Sequence, residues 1–354
     1  MRSGSSQQDT ESRLVVRTIS VIIPFFQRDP GILTRALRSI QSQIIPDDWA
    51  VEVIIVDDAS PCPAQDELRD LHLKEPLRLK VIRQENGGVA AARNRAFEEV
   101  DPSATLIAFL DSDDVWPANH LARAIQAHES GFDFYFTDNR RQGFHNSHVH
   151  SHCGPETGRF IAASQQTNGI LEIPTNVMVG FVVQEFPTQA STIVYNFNIA
   201  PLLRFNTDLK AAGEDMLFVS ALTSKATRIG FDLDSIVECG DGLNIYFGSL
   251  NWDSPNFMAI RVDQLITHRL IARMANLSSD NKTLNAAVVN FYRREVAFHI
   301  SRNVVKYPSR VSKEILRLIR SDPGAALMLP IDMIVVGLSL IFGNSMGKAE
   351  ARRA

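Results

Sequence analysis

Three acids within four positions, Asp111, Asp113 and Asp114, follow the apolar run at residues 105–110. Carboxylates crowded at the end of a buried strand repel one another unless a cation offsets them. A hard divalent metal is the natural counter-charge; it prefers oxygen ligands and takes part of its shell from waters and substrate phosphates. The segment Asp111-Ser112-Asp113-Asp114 therefore points to a metal-bound, phosphate-bearing ligand. A second acid pair, Asp57-Asp58, follows the apolar stretch 51–56. A third, Glu214-Asp215, opens a helical run over 216–222, where the helix dipole favours negative charge. A carboxylate there serves either as a helix cap or as an acceptor of a proton.

The elements that position these acids are legible as alternating strand and helix patterns from residue 18 to about 136, the signature of a βαβ sheet with parallel strands. Residues 19–23 form the first strand, stopped by Pro24, and the next helix takes Asp29 as N-cap and Pro30 at its first position, with Leu33, Leu37 and Ile40 on one face. Strands follow at 51–56, 77–82 and 105–110, and helices at 89–100 and after Pro117. In such sheets ligands bind beyond the carboxyl ends of the strands. Those ends read Pro24-Phe25-Phe26-Gln27-Arg28, Asp57-Asp58-Ala59-Ser60 and Asp111-Ser112-Asp113-Asp114, which converge on one site. Gly87-Gly88 adds free backbone N–H groups at a helix N-terminus, where anions are favoured. Arg93 supplies a guanidinium fork suited to phosphate oxygens.

The 354 residues are 45% hydrophobic and 21% charged, an ordinary globular balance, and the net charge of -4 gives no reason to expect nucleic acid as a partner. Cys62, Cys153 and Cys239 are odd in number and contain no Cys-x-x-Cys pair, which fits a reducing, cytoplasmic compartment and argues against a disulfide framework or structural zinc. Residues 1–17 lack an apolar h-region and read as a loose tail. His148, His150 and His152 alternate beside His145 and Cys153, so an extended chain would put them on one face; the polar, Gly-rich surroundings favour a surface insertion over a metal site. From Met258 to Arg320 the pattern is helical. Arg310, Lys313, Arg317 and Arg320 precede an apolar stretch at 325–343 that is interrupted by Pro330 and Asp332. A basic helix followed by an apolar one suits either an anionic membrane surface or a buried core helix.

Five segments in order carry a family resemblance: Ile19-Ser20-Val21-Ile22-Ile23-Pro24, Val56-Asp57-Asp58-Ala59-Ser60, Asn86-Gly87-Gly88 through Arg93-Asn94, Phe109-Leu110-Asp111-Ser112-Asp113-Asp114, and Gly213-Glu214-Asp215. Residues 18–260 resemble the inverting glycosyltransferases of family 2. Arg204-Phe205 ahead of Glu214-Asp215, and Gly240-Asp241-Gly242 ahead of Asp253-Ser254-Pro255, resemble its glucosyltransferases of succinoglycan-type bacterial exopolysaccharide. The resemblance implies the α/β GT-A fold, a mainly parallel sheet flanked by helices, with residues 18–256 as catalytic domain. Residues 257–354 are then a helical C-terminal region, and the basic and apolar segment 308–343 within it is the candidate for membrane association.

The resemblance also implies roles. Pro24 and Phe25 line the nucleotide site, and Asp57 or Asp58 accepts the uracil imide, with family precedent favouring Asp57. Asn86, Gly88 and Arg93 lie beside the nucleotide, Asp111 and Ser112 beside the ribose or diphosphate, and Asp111 and Asp113 hold Mg2+ or Mn2+. Asp215 is the general base, and 240–244 is a lid over the diphosphate. The family's Gln-x-x-Arg-Trp element is absent, which argues for a single addition per encounter. The implied reaction moves glucose from UDP-glucose to a lipid-linked oligosaccharide at the inner face of the cell membrane. Two rivals are a sugar nucleotidyltransferase, which wants a Gly-rich basic loop where Pro24-Phe25-Phe26-Gln27 stands, and a scaffold that binds sugar nucleotides without catalysis.

Overall fold

The computed structural model describes residues 16–69, 71, 77–152, 158, 161, 164, 166–184, 187–240, 255–274 and 277–341. In its first half, strands β1 (Arg17–Phe25), β2 (Trp49–Asp57), β3 (Leu77–Arg83) and β4 (Leu106–Phe109) alternate with helices α1 (Ile32–Gln41), α2 (Ala64–Leu68) and α3 (Val89–Phe97). All their pairings are parallel, in the order β3-β2-β1-β4. Side-chain alternation along β1 divides the core between the two faces of the sheet. Val21, Ile23 and Phe25 join Leu33 and Leu37 of α1, whereas Ile22 joins Ala92 and Ala96 of α3.

The first strand runs through Pro24 instead of stopping there. Pairing with β4 ends at Ile22, so the missing N–H of Pro24 falls where no further rung is formed. Arg17, expected in the tail, opens β1: its backbone N–H donates to Asp48 and its guanidinium lies over Trp49. Helix α1 begins later than expected, with Gly31 rather than Asp29 as N-cap, at a φ of 92° that glycine tolerates.

The second half departs from the parallel scheme. After α4 (His120–Glu129) come β5 (Phe134–Arg141), α5 (His148–His152), β6 (Gln166–Thr167), β7 (Ile170–Ile173), α6 (Thr175–Gln184), β8 (Ile193–Asn196), α7 (Glu214–Thr223) and β9 (Ile229–Cys239). Strand β8 inserts antiparallel between β4 and β5, β9 is parallel to β5, and β7 and β6 close the edge antiparallel. The result is one nine-stranded mixed sheet rather than a mainly parallel one. Four helices follow, α8 (Pro255–Ile271), α9 (Ser279–Asn303), α10 (Pro308–Ser321) and α11 (Pro323–Ile341). They share an apolar cluster of their own, into which Leu209 and Leu217 reach from the sheet side.

Candidate active site

The carboxyl end of β2 carries Asp57 and Asp58, both buried. Asp57 accepts the N–H groups of Ser60 and Ala64 and an ion pair from Arg83 at 3.0 Å, so it fixes the turn after the strand. Asp58 accepts Gln84 Nε2 at 2.7 Å and the N–H groups of Gly87 and Gly88, both at 2.8 Å. Asn86 donates to the Asp58 carbonyl at 3.0 Å. The two acids therefore already have internal work, and the glycine loop is held open from below by Asp58. Gly88 has a φ of 89°, and the Lys210 ammonium bonds the Gly87 carbonyl at 2.7 Å beside it.

The side chain of Phe25, expected at the nucleotide site, is buried in the apolar core. Its carbonyl accepts the Asp58 N–H instead, and the half-buried Phe26 is the neighbour on the other side of the strand. Pro24 is likewise buried. Ser112 is buried too, with its hydroxyl on Gln27 Nε2 at 3.1 Å. Gln27 also donates its backbone N–H to Ser60 Oγ, so this one residue ties together the ends of β1, β2 and β4.

Beyond β4, Asp111 and Asp113 are partly exposed while Asp114 is buried. Asp114 accepts Ser191 Oγ, Gln189 Nε2 and the Gly240 N–H. It thereby locks the acid loop to the end of β9, where Val115 and Glu238 also exchange backbone bonds. A Cβ on Gly240 would lie 2.1 Å from the Asp113 carbonyl oxygen, so the approach requires glycine. Burial first, and then the charges of Asp111 and Asp113, push the Asp114 carboxyl well above the ordinary range. Three carboxylates this close, with Arg93 paired to Asp111, suit a divalent cation. Among the described residues no three His, Cys, Asp or Glu side chains form a metal cage, so such an ion would complete its shell with phosphate and water oxygens.

Arg93 was expected at the diphosphate; the structure gives it a different setting. It is 2% exposed, with Nη2 on Asp111 Oδ1 at 2.7 Å, Nη1 near Glu214 Oε1 at 3.4 Å, and its guanidinium over the Phe205 ring. Phe205 in turn stacks on Phe218 of α7 with centroids 4.1 Å apart. The guanidinium thus joins the acid loop of β4 to the acids at the start of α7. Glu214 is pushed up to about 7, by burial first and then by the Asp215 charge. Burial also raises Asp215, opposed by Arg93, and one of its oxygens accepts the Met216 N–H at 2.7 Å.

The N-cap of α7 is Gly213, with a φ of 85°. The preceding turn is gripped from the C-terminal helices: Asp263 of α8 accepts the N–H groups of Lys210, Ala211 and Ala212, and Arg317 of α10 pairs with Asp263. Lys210 and Asp263 shape this site without being singled out in the sequence, because neither sits in a recognisable motif, and Gln27 stood in the segment at the end of β1 without a role of its own. The lid expected over 240–244 lies outside the described residues except for Gly240, as does Cys153. The backbone over His148–His152 is helical, which removes the alternation that would have aligned the three imidazoles.

A glycine loop and acid clusters at the carboxyl ends of a mixed α/β sheet have the layout of a transferase-like site, and comparison with known proteins agrees. The profile of glycosyl transferase family 2 matches residues 20–181. The succinoglycan biosynthesis protein ExoW of Rhizobium meliloti (strain 1021) is 34% identical over 246 residues, covering 68% of this chain and 74% of that protein. The teichuronic acid biosynthesis glycosyltransferase TuaG of Bacillus subtilis (strain 168), a putative assignment, is 35% identical over 109 residues, covering 30% of this chain and 40% of that one. Among solved structures, S. aureus TarS 1-349 in complex with UDP-GlcNAc superposes with a TM-score of 0.58 at 18% identity, covering 92% of each chain. The mannosyltransferase PcManGT from Pyrobaculum calidifontis, in complex with GDP-Man and Mn2+, gives 0.51 at 15% identity over 92% of this chain and 88% of that one. This chain belongs to glycosyltransferase family 2.

Proposed function

We propose that the chain is a metal-dependent, inverting glycosyltransferase of GT-A fold. It transfers glucose from UDP-glucose to a lipid-linked oligosaccharide in bacterial exopolysaccharide assembly. The observation that carries this reading is the Arg93 bridge, which unites the acids of the β4 end with those of α7 in one site. The likeness to ExoW supports the exopolysaccharide setting, and the UDP-GlcNAc complex of TarS supports a UDP-sugar donor.

In this mechanism Asp113 and the Asp111 oxygen not bound to Arg93 would hold Mg2+ or Mn2+, which would supply positive charge against the diphosphate leaving group. The Gly87-Gly88 loop and the Lys210 ammonium flank the nucleotide, and Asp57 and Asp58 set the floor on which the base rests. Asp215 accepts the proton of the attacking hydroxyl through the oxygen not bound to Met216, on the face opposite the leaving group, so an α-linked donor gives a β-linked product. Arg93 holds Asp111 and Glu214 in place against their mutual repulsion. The nucleotidyltransferase alternative gains no support at the end of β1, where Gln27 is committed to Ser60 and Ser112.

The test is transfer from UDP-glucose to lipid-linked acceptor with Mn2+ present, comparing the parent with Asp215→Asn. Loss of about a thousandfold in kcat, with donor binding by calorimetry unchanged, is expected for removal of a general base. Equal turnover removes Asp215 as the base, absence of turnover in both chains favours a binding scaffold, and tight GDP-mannose binding without UDP-glucose binding overturns the donor.

A further inference from the structure

Large apolar side chains left exposed among the described residues are unevenly spread: five are scattered before residue 203, and ten fall between Val304 and Leu338. On α11 they form a stripe, Leu327, Ile331, Ile334 and Leu338, at the i, i+4, i+7, i+11 spacing of one helix face. Leu327 is 79% and Ile334 63% exposed. On α10, Leu316 and Ile319 are exposed beside Lys313 and Arg320. Both helices bury their other side in the same cluster, through Val311 and Leu318 of α10 and Leu329 and Val336 of α11. A monomer rarely leaves so contiguous an apolar surface without a use for it.

Between residues 302 and 338 the exposed charges are of one sign. Lys306, Arg310, Lys313 and Arg320 are exposed, whereas Glu314, Asp322 and Asp332, the acids between 302 and 338, are all buried. Each is held by an arginine: Glu314 by Arg317, Asp322 by Arg269, and Asp332 by Arg293 through Nε at 3.0 Å and Nη2 at 2.9 Å. The last pair also pins α11 flat on α9. No helix among the described residues is long and apolar enough to cross a membrane. In a chain of net charge -4, the exposed Lys306, Arg310, Lys313 and Arg320 beside an apolar stripe, with Asp208 an exposed acid that meets α10 at Arg317, make this face complementary to an anionic sheet of lipid. A second copy docked face to face would set these like charges against each other.

We propose that the outward face of α10 and α11 is a membrane-docking surface. It seats on an anionic bilayer with the α11 stripe at the headgroup boundary and Lys313 and Arg320 on lipid phosphates. The proposal rests on the lipid-linked acceptor only for its purpose, and its test needs no transfer.

The full chain is floated with phosphatidylcholine vesicles, with and without phosphatidylglycerol, alongside Ile331→Glu/Ile334→Glu and Lys313→Glu/Arg320→Glu, each checked for the parental circular dichroism melt. Binding to the anionic vesicles is expected, with a drop of at least about fivefold on the neutral ones. Each double variant should lose about tenfold of the binding. A parent that does not float with anionic vesicles, or variants that float like the parent, overturn the proposal. So does a parental dimer that Ile331→Glu/Ile334→Glu makes monomeric without vesicle binding, which would assign the face to a second copy. Docking that persists in a chain without transferase activity would count against the proposed function and not against this surface.

Discussion

Glu214 is the residue whose protonation has the clearest consequence for the reaction. Its carboxyl rises from 4.5 to about 7, so the acid pair acquires its second charge only as the pH climbs through that region. The proposed base, Asp215, must be ionised to act, and burial raises its carboxyl too, so kcat should fall toward acid pH. Glu214→Gln removes the neighbouring charge, and the acid limb of its pH–rate profile should move to lower pH. The stability sign is the reverse. A carboxyl whose pKa is raised in the fold stabilises at low pH and loses that contribution as the pH rises through the folded value. The melting temperature of Glu214→Gln should therefore gain on the parent between about pH 5 and about pH 8. A profile whose acid limb is identical in both chains would mean that the Glu214 charge does not reach the proposed base. The acids themselves were readable because their type and spacing state their chemistry. Which oxygen is already engaged was not, because Arg93 reaches Asp111 and Glu214 from positions 18 and 121 residues away.

The glycine loop before α3 shows how an element depends on one side chain. Asp58 accepts the N–H groups of both Gly87 and Gly88 together with Gln84, so its two oxygens shape the mouth of the helix. Asp58→Asn keeps the volume but turns one acceptor into a donor facing another N–H. The unmade bonds should cost about 1–3 kcal/mol. The measurable outcome is a lower melting temperature and a raised KM for donor, with kcat affected less; a donor KM equal to the parent's would mean the loop does not meet the nucleotide. The parallel units around this loop were legible because strand and helix periods alternate without interruption. The antiparallel half was not. Strand β8 has four residues and β6 two, too short for a period to register, and β8 takes its place between β4 and β5 through pairings about 60 to 90 residues distant. Helix α5 was not legible for a related reason: an extended chain would align the three imidazoles, but the five residues offer one apolar side chain, Val149, which packs against the core, too few for a period to register.

At the scale of the molecule, the C-terminal helices hold the acceptor side of the site from behind. Arg317 of α10 pairs with Asp263 of α8, and Asp263 collects the N–H groups of residues 210–212, the turn that delivers Gly213, Glu214 and Asp215. The surface proposed to meet lipid and the proposed base are thus joined through two side chains. Arg317→Met removes the partner of a buried carboxylate, which costs about 3–5 kcal/mol when the charge is left unpaired. Burial already raises the Asp263 carboxyl and the Arg317 charge restrains it, so the variant should push it higher still. A group with a raised folded pKa loses its contribution as the pH rises through that value, so the melting temperature of Arg317→Met should fall further behind the parent toward alkaline pH. Because the turn carries Asp215, and Lys210 whose ammonium bonds the Gly87 carbonyl, kcat should fall in the same variant and donor KM should rise. A variant that is destabilised but keeps the parental kcat would confine Asp263 to a packing role and separate the helical face from the chemistry.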